Sequence, residues 1–249
     1  MYFYQQLQAR VNVQTPVVYY VDIDDDSHNF VLIMEDLAPG VQGDQLAGCD
    51  IDSACLAMQQ LAHLHGPVWG DTSLTHELIT SSADNRHNIK ELYDAVSLGF
   101  LARYAGRLTE AEKTMVQSVG ENLIAYATNY KGSQTLIHID YRLDNMMFGG
   151  PYPLAVVDWQ SVAYGCGLND ASYFVGTSIE PSARAENDEF LLRQYFDALS
   201  TYNVDLSWDE CWKYYCHNAP AGLIMAVIAS MIVGETERGN DMFMAMTRR

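Results

Sequence analysis

The sequence predicts an α+β fold in which a few short strands accompany a mostly helical chain. Two runs rich in β-branched and aromatic residues near the N-terminus, Val17 to Ile23 and Phe30 to Glu35, have the composition of strands. Further along, a Gly149-Gly150-Pro151 turn separates two more short apolar runs. Most of the remaining chain shows apolar residues at helical spacing. These patterns divide the chain into a small N-terminal part, 1–37, and a larger, mostly helical part, 38–249.

The N-terminal part is predicted to be one helix and one hairpin. Tyr2 to Arg10 reads as the helix, and the acidic Asp24-Asp25-Asp26 separates the two strands, which we expect to pair antiparallel. A hairpin of two strands is only marginally stable alone, and it should expose an edge and an apolar face. We therefore expect two copies of the chain to associate through this region.

Helices in the larger part are predicted from apolar spacing and from end signals. The run Ala219 to Gly234 is shorter than the ~20 apolar residues that a membrane-spanning helix needs, and it contains Pro220, so we expect a buried core helix. Two more runs with helical apolar spacing are Asp52 to His65, which stops at Gly66-Pro67, and Ser182 to Ser200. Two further helices are expected to begin at the capping boxes Thr109-x-x-Glu112 and Ser207-x-x-Glu210.

The stretch from Thr135 to Gln160 contains the candidate catalytic and metal-binding residues. An apolar strand containing Leu136, Ile137 and Ile139 precedes a polar loop from Asp140 to Asp144, and short strands follow on either side of the glycine turn. If Phe148 pairs near Leu154, counting back along both strands brings Asn145 opposite Val157. Asn145 would then lie beside Asp158.

Two oxygen ligands at one end of a hairpin suit a magnesium ion, because Mg²⁺ binds one or two protein oxygens and completes its shell with phosphates and water. We expect Asn145 and Asp158 to be those ligands. Asp140 would remain free to orient and deprotonate an attacking hydroxyl, and His138 would brace the loop. Positioning and charge neutralisation supply most of the catalysis in phosphoryl transfer, so this set predicts a phosphotransferase.

The motif His138-x-Asp140-(x)4-Asn145, followed by Asp158-Trp159-Gln160, resembles the catalytic and metal loops of the aminoglycoside phosphotransferase and choline kinase superfamily. The superfamily is similar to the protein kinases in fold. Leu61 to His65 and Trp208 to Tyr215 also resemble the branch of ecdysteroid-kinase-like proteins. The family pattern has Gly where this chain has Ile139, and the likeness extends from about Phe3 to the C-terminus.

The resemblance implies a kinase-like fold with a partial small lobe and hinge at 1–37 and a large lobe with the catalytic β-hairpin at 38–249. It implies ATP as phosphoryl donor, a small-molecule hydroxyl as acceptor, Glu35-Asp36-Leu37 as the hinge that holds adenine, and Asp170 as support for the catalytic loop. The Gly-rich turn and strand lysine of such a lobe are missing before Phe30, so we expect a chain shortened at its N-terminus. The alternative is a catalytically inactive kinase-like remnant that serves in binding.

The composition of the chain argues against some classes of binding partner. A net charge of −18 argues against nucleic acid and anionic membranes as partners. It could favour a cationic acceptor, although solubility alone is the commoner reason for an acidic surface. The five cysteines lack a CxxC pair and fit a reducing cytoplasm. No membrane anchor is evident, and the acceptor stays open among an aminoglycoside, a choline-like amine, a sugar and a steroid alcohol.

Overall fold

The computed structural model describes residues 1–24, 26–27, 29–76, 78–80 and 83–249. Asp25 of the predicted acidic turn lies outside these residues. The first element is helical, as expected for Tyr2 to Arg10: it is π-helical over Phe3–Leu7 and 3₁₀-helical over Gln8–Arg10.

An antiparallel hairpin of β1 (Val18–Ile23) and β2 (Phe30–Met34) follows, as the sequence predicts. Its large side chains are exposed on both faces: Tyr19 and Phe30 are each 68% exposed and Ile33 is 51% exposed. Because β1 and β2 form a two-stranded sheet of their own, the hairpin depends mainly on its own ladder.

The other strands of the described residues form two small antiparallel sheets. The sheet order is β3-β5-β6 in one and β4-β7 in the other. Phe148 lies opposite Leu154, which confirms the predicted register of the catalytic hairpin. The strands are β3 (Val41–Gln42), β4 (Thr135–Ile137), β5 (Met146–Phe148), β6 (Leu154–Val156) and β7 (Ala163–Gly165).

The strand predicted to include Ile139 is shorter than expected. β4 ends at Ile137, and Ile139 adopts a left-handed backbone with φ of 70°. A buried carboxylate, that of Asp170, accepts hydrogen bonds from the amides of His138 and Ile139 and so ends the strand. Apolar spacing cannot reveal a carboxylate that lies 31 residues from Ile139 in sequence.

The turn between β5 and β6 requires glycine. Gly149 and Gly150 have φ of 75° and 74°, and a Cβ on Gly150 would lie 2.5 Å from the carbonyl oxygen of Leu37. Glycine takes positive φ without steric cost, and here it also allows close backbone approach. The tip of the hairpin therefore packs directly against the segment that follows β2.

Eight helices lie within the described residues, and both predicted capping boxes are present. Asp50 caps the first helix by accepting from the amide of Ser53 at 2.8 Å. The helices are α1 (Ile51–His65), α2 (Ala83–Arg103), α3 (Glu110–Asn129), α4 (Gly167–Ser178), α5 (Pro181–Ser200), α6 (Trp208–His217), α7 (Ala221–Ile232) and α8 (Glu237–Arg248).

Helix α4 lies at the centre of the molecule. It packs against α1, α5, α6, α7 and α8 and against strand β4, and ten of its twelve residues are buried. The N-terminal Phe3 and Leu7 join the same large apolar cluster as residues of α1 and α4. The N-terminal helix thus packs into the main core, whereas the hairpin does not contribute to it. The division into 1–37 and 38–249 remains a prediction.

One helical stretch, Trp208–Ile232, has the length and apolar composition of a membrane span, and half of its most apolar window is buried in the protein. The stretch comprises two helices, α6 and α7, separated by Asn218 to Pro220. Helix α7 packs among α2, α4 and α8, as a core helix would.

Candidate active site

Strand pairing brings two loops side by side. Residues 138–145 connect β4 to β5, residues 157–162 connect β6 to β7, and the strands pair β4 with β7 and β5 with β6. The amide of Val157 donates to the carbonyl oxygen of Asn145 at 3.0 Å. The structure therefore brings Asn145 next to Asp158, in the arrangement that the hairpin register predicts.

Asp140 has a carboxylate fixed by three donors. The Tyr173 hydroxyl donates to Oδ1 at 3.0 Å, and Oδ2 accepts from Asn145 Nδ2 at 2.9 Å and from Arg142 Nε at 3.1 Å. The side chain is still 24% exposed. Burial, together with the charge of Asp140, raises the pKa of Tyr173 well above its usual value, so the phenol keeps its proton and donates. Asp140 thus presents an oriented carboxylate to the solvent side.

Asn145 is oriented by the same aspartate. Its Nδ2 donates to both the backbone carbonyl oxygen and Oδ2 of Asp140, each at 2.9 Å. Since both bonds use the amide nitrogen, the side-chain oxygen Oδ1 is left to accept or to ligate. The side chain is 5% exposed, so its direction is fixed by packing as well as by hydrogen bonds.

Asp158 has an exposed carboxylate and a left-handed backbone with φ of 62°. Aspartate tolerates this conformation better than most residues do. Among the described residues, no donor to the Asp158 carboxylate is found. Burial, and to a smaller extent the negative charge of Asp158, raises the pKa of Tyr4 to about 12.

The oxygens of Asn145 and Asp158 fit a hard cation. Two protein oxygens, one amide and one free carboxylate, are the donor set that Mg²⁺ takes when phosphates complete its shell. No group of three or more His, Cys, Asp or Glu side chains within the described part of the chain is arranged to hold a metal without other ligands. Asn145 and Asp158 are thus the described residues that could ligate a cation at this place.

His138 lies beneath the two loops and is completely buried. Its Nε2 lies 3.1 Å from the carbonyl oxygen of Val157, and its ring packs against Trp159 at 4.7 Å between centroids. Burial lowers the pKa of His138 despite the nearby charges of Asp170 and Asp140, so the ring is neutral and donates from Nε2. His138 therefore connects the catalytic loop to the metal loop.

Asp170 on α4 supports the other side of the catalytic loop. Its two carboxylate oxygens accept from the amides of His138 and Ile139 at 2.6 and 3.0 Å. Behind it, His65 Nε2 lies 3.4 Å from Oδ2, and His65 Nδ1 lies 3.0 Å from the hydroxyl of Tyr195. This fully buried carboxylate therefore fixes the backbone of residues 138 and 139 from the side of α4.

The hinge residues Glu35, Asp36 and Leu37 directly follow β2. The Glu35 carboxylate accepts from the Val17 amide at 3.0 Å and from the Tyr152 hydroxyl at 2.9 Å. Asp36 accepts from the amide of Ala38 at 2.9 Å. These bonds use side chains, and within the described residues the Glu35 carbonyl and the Leu37 amide make no hydrogen bond.

A model of the ecdysteroid kinase-like family matches residues 3–207 of the sequence. The chain belongs to the ecdysteroid kinase-like family. No curated protein sequence matches it.

Solved structures show the fold of this family member to be that of the small-molecule kinases. It is similar to the GDP and kanamycin complex of APH(2'')-IIIa, with a TM-score of 0.62, 15% identity, and coverage of 98% of this chain and 79% of that one. It is also similar to the ADP-bound aminoglycoside phosphotransferase APH(2'')-Ib, with a TM-score of 0.50, 18% identity, and coverage of 99% of this chain and 79% of that one. For glucosamine kinase in complex with glucosamine, ADP and phosphate, the TM-score is 0.56 and the identity 12%, with coverage of 94% of this chain and 63% of that one. The expected protein-kinase-like α+β fold is confirmed.

Next to Asp140, this ecdysteroid kinase-like chain contains a cavity of about 610 Å³. Its wall is mainly apolar and aromatic, and it includes Ile139 and Tyr173, the two residues that connect it to Asp140. The polar groups on the wall include Asn169 and Asn218. Among the described lining residues, Lys131 is the single lysine, and none is arginine. None of these lining residues is Asp or Glu, so the acidity of the chain resides elsewhere.

Sequence reasoning missed Tyr173 and the arginines around the catalytic loop. Tyr173 could have been found, because it follows Asp170 by three residues on one helix and so shares its face. Arg142 joins Asp140 to Asp144, and Arg238 on α8 lies 3.3 Å from the Asp144 carboxylate. Burial alone would raise the pKa of Asp144, but the Gln45 amide and the two arginines lower it.

Proposed function

We propose that this protein is an ATP- and magnesium-dependent phosphotransferase that acts on the hydroxyl group of a small molecule. The observation that carries the proposal is the cleft formed by the two loops. There, an oriented and partly exposed Asp140 carboxylate accepts from the side chain of Asn145, and the exposed Asp158 follows Val157, whose amide donates to Asn145. Family membership and the phosphotransferase fold support the same reaction class.

Asp140 is the proposed base. A carboxylate has roughly four lone-pair sites, and Tyr173, Asn145 and Arg142 use three of them, which leaves room for one hydroxyl donor. The acceptor oxygen would form its bond to the γ-phosphorus of ATP while the bond to the β-γ bridging oxygen breaks and ADP leaves. The hydroxyl proton passes to Asp140. Fixed donors on the carboxylate keep it aimed at the acceptor rather than free to rotate.

Asn145 and Asp158 would hold the magnesium ion, which when bound neutralises charge on the phosphates. The chain's own contribution is to fix these two oxygens. Asn145 is oriented through Asp140, and the backbone of Asp158 is fixed by the short helical turn Trp159–Ser161 that follows it. Glu35 to Leu37 would hold adenine through the unpaired backbone groups of the hinge.

The cavity favours a neutral and largely apolar acceptor alcohol. A cationic aminoglycoside or choline-like amine requires compensating carboxylates, because a buried and unpaired charge is strongly unfavourable. The described lining offers no Asp or Glu and adds the positive Lys131. The polar side chains on the wall, such as Asn169 and Asn218, are suited to orient one or two hydroxyl groups.

A second candidate function is binding without catalysis. The composition of the hairpin favours it: residues 18–34 contain no lysine or arginine, and Arg10 is paired with Asp71 at 2.6 Å. A nucleotide would then meet no lysine from the hairpin. We also propose that the protein acts in the cytoplasm and that it binds neither nucleic acid nor membranes, since the acidic chain repels phosphate-rich surfaces.

A transfer assay with radiolabelled ATP, magnesium and a panel of neutral and cationic alcohols tests the reaction class. Asp140→Asn should reduce turnover by about 10²- to 10⁴-fold, the usual contribution of a general base. Asp205→Asn, at an exposed residue outside both loops, is the matched control and should leave turnover unchanged. Equal turnover in the Asp140 variant and the control would refute the base, and no transfer to any alcohol would favour the binding function.

A further inference from the structure

A strained residue lies immediately before the proposed base. Ile139 has φ of 70°, in a region that a β-branched side chain occupies only at a cost. Glycine would adopt this conformation freely, because it has no Cβ. Strained residues of this kind cluster at active sites and at ligand-binding positions.

The backbone on both sides of Ile139 is fixed. The Ile139 amide donates to Asp170 Oδ1 at 3.0 Å, and the preceding amide of His138 donates to Oδ2 at 2.6 Å. On the other side, the Asp140 carbonyl oxygen accepts from Asn145 Nδ2 at 2.9 Å, and the Asp140 carboxylate accepts from the Tyr173 hydroxyl at 3.0 Å. The loop cannot rotate out of the left-handed conformation without breaking these bonds, so the direction of the Ile139 side chain is fixed as well.

That side chain lies on the wall of the 610 Å³ cavity, along with Ile137 and Tyr173. Tyr173 donates to the Asp140 carboxylate, and Ile139 directly precedes Asp140 in the chain. These two lining residues therefore mark the end of the cavity that is nearest to Asp140. The branched side chain makes this end of the cavity apolar. It is also half-buried, which leaves part of its surface available to an occupant.

We propose that Ile139 is a specificity-determining residue that packs against the carbon skeleton beside the reacting hydroxyl. The proposal rests on the proposed function of the site. An acceptor with hydrocarbon next to its hydroxyl would cover Ile139 and remove apolar surface from water. A polyol or an amine would bury a neighbouring polar group against Ile139 without a partner, and so would bind less well.

Binding of a neutral aromatic alcohol, 2-naphthalenemethanol, tests this directly by fluorescence titration and does not require turnover. Ile139→Gly should weaken its binding roughly tenfold, because several buried methyl and methylene contacts are lost. The matched Ile139→Val variant keeps the branch and the strain, and should stay within about threefold of the unchanged protein. The melting temperature of the Gly variant should fall by no more than a few degrees, since relief of the left-handed strain offsets the lost packing.

Two results would overturn the assignment: equal binding of the alcohol by the Gly variant and the unchanged protein, or no binding by the unchanged protein. A loss of binding that comes with a large fall in melting temperature would also overturn it, because Ile139 would then be a structural residue. Failure of phosphoryl transfer with the predicted binding pattern intact would instead refute the proposed function and leave Ile139 as a determinant of ligand binding.

Discussion

The catalytic loops and the N-terminal hairpin are stabilised in opposite ways. His138 and Asp170 are completely buried, and His138 Nε2 and both carboxylate oxygens of Asp170 bond to loop backbone. His138 Nδ1 has no partner among the described residues. In the hairpin, Tyr19 and Phe30 are 68% exposed, and the strands pair only with each other. The loops depend on partners distant in sequence, whereas the hairpin depends on local pairing.

This difference indicates where the structure is rigid and where it can adapt. Buried polar groups that are hydrogen-bonded define one geometry, because any other geometry leaves them unpaired in a region of low polarity. An exposed two-stranded sheet has no such restraint. We therefore expect the chemistry to depend on α4 and its carboxylate, and the hairpin to be the part most open to association.

The largest effect is expected for Asp170→Asn. An amide side chain has only one acceptor oxygen, so one of the two loop amides loses its partner and faces an NH₂ group. The free energy of unfolding should fall by about 3 kcal/mol in urea denaturation. Asp205→Asn, which changes an exposed carboxylate in the same way, should change it by less than about 0.5 kcal/mol. A loss below about 1 kcal/mol at Asp170 would mean that the loop does not depend on it.

An effect of intermediate size is expected on the pH dependence of stability. Burial lowers the pKa of His138 below its ordinary value of 6.5, so below that pH the unfolded chain takes up a proton that the folded protein does not. Stability should therefore fall as the pH drops below about 6.5, with a contribution of up to about 1.4 kcal/mol per pH unit.

His138→Gln, which keeps a side-chain donor but does not titrate, provides the comparison for that prediction. Urea denaturation from pH 7.5 to 5.5 should show a shallower loss in this variant than in the unchanged protein. Parallel curves would show that His138 is not the group responsible, and that other titrating residues account for the loss.

The smallest effect on stability is expected in the hairpin. The double variant Tyr19→Ser, Phe30→Ser should change the free energy of unfolding by less than about 1 kcal/mol, since both side chains are largely exposed. Sedimentation should nevertheless change: the unchanged chain should self-associate and the double variant should not. A chain that stays monomeric at all concentrations would refute association through the hairpin.

The sequence predicted the elements that depend on local signals. The capping boxes at Thr109 and Ser207, the two strands of the hairpin and the pairing of Phe148 with Leu154 follow from patterns a few residues long. The same hairpin register was enough to bring Asn145 and Asp158 together. Local patterns therefore predicted these elements and the proximity of Asn145 and Asp158, whereas the kinase-like fold was expected from the resemblance.

The sequence could not predict features that depend on distant contacts. The left-handed Ile139 arises from a carboxylate on α4, and the Tyr195–His65–Asp170 chain joins three separate helices. The lack of acidic residues among the described lining of the cavity likewise appears only after folding distributes the acidic residues elsewhere. Net charge alone could equally have favoured a cationic acceptor.

Calorimetric titration of this chain with ATP and magnesium tests the central claim most directly. The account predicts magnesium-dependent binding that is lost in Asp158→Ala and retained in Asp205→Ala, because only Asp158 contributes a carboxylate to the nucleotide-bound metal. Binding that is independent of magnesium, or that is equal in the two variants, would contradict the assignment of Asn145 and Asp158 as the metal site.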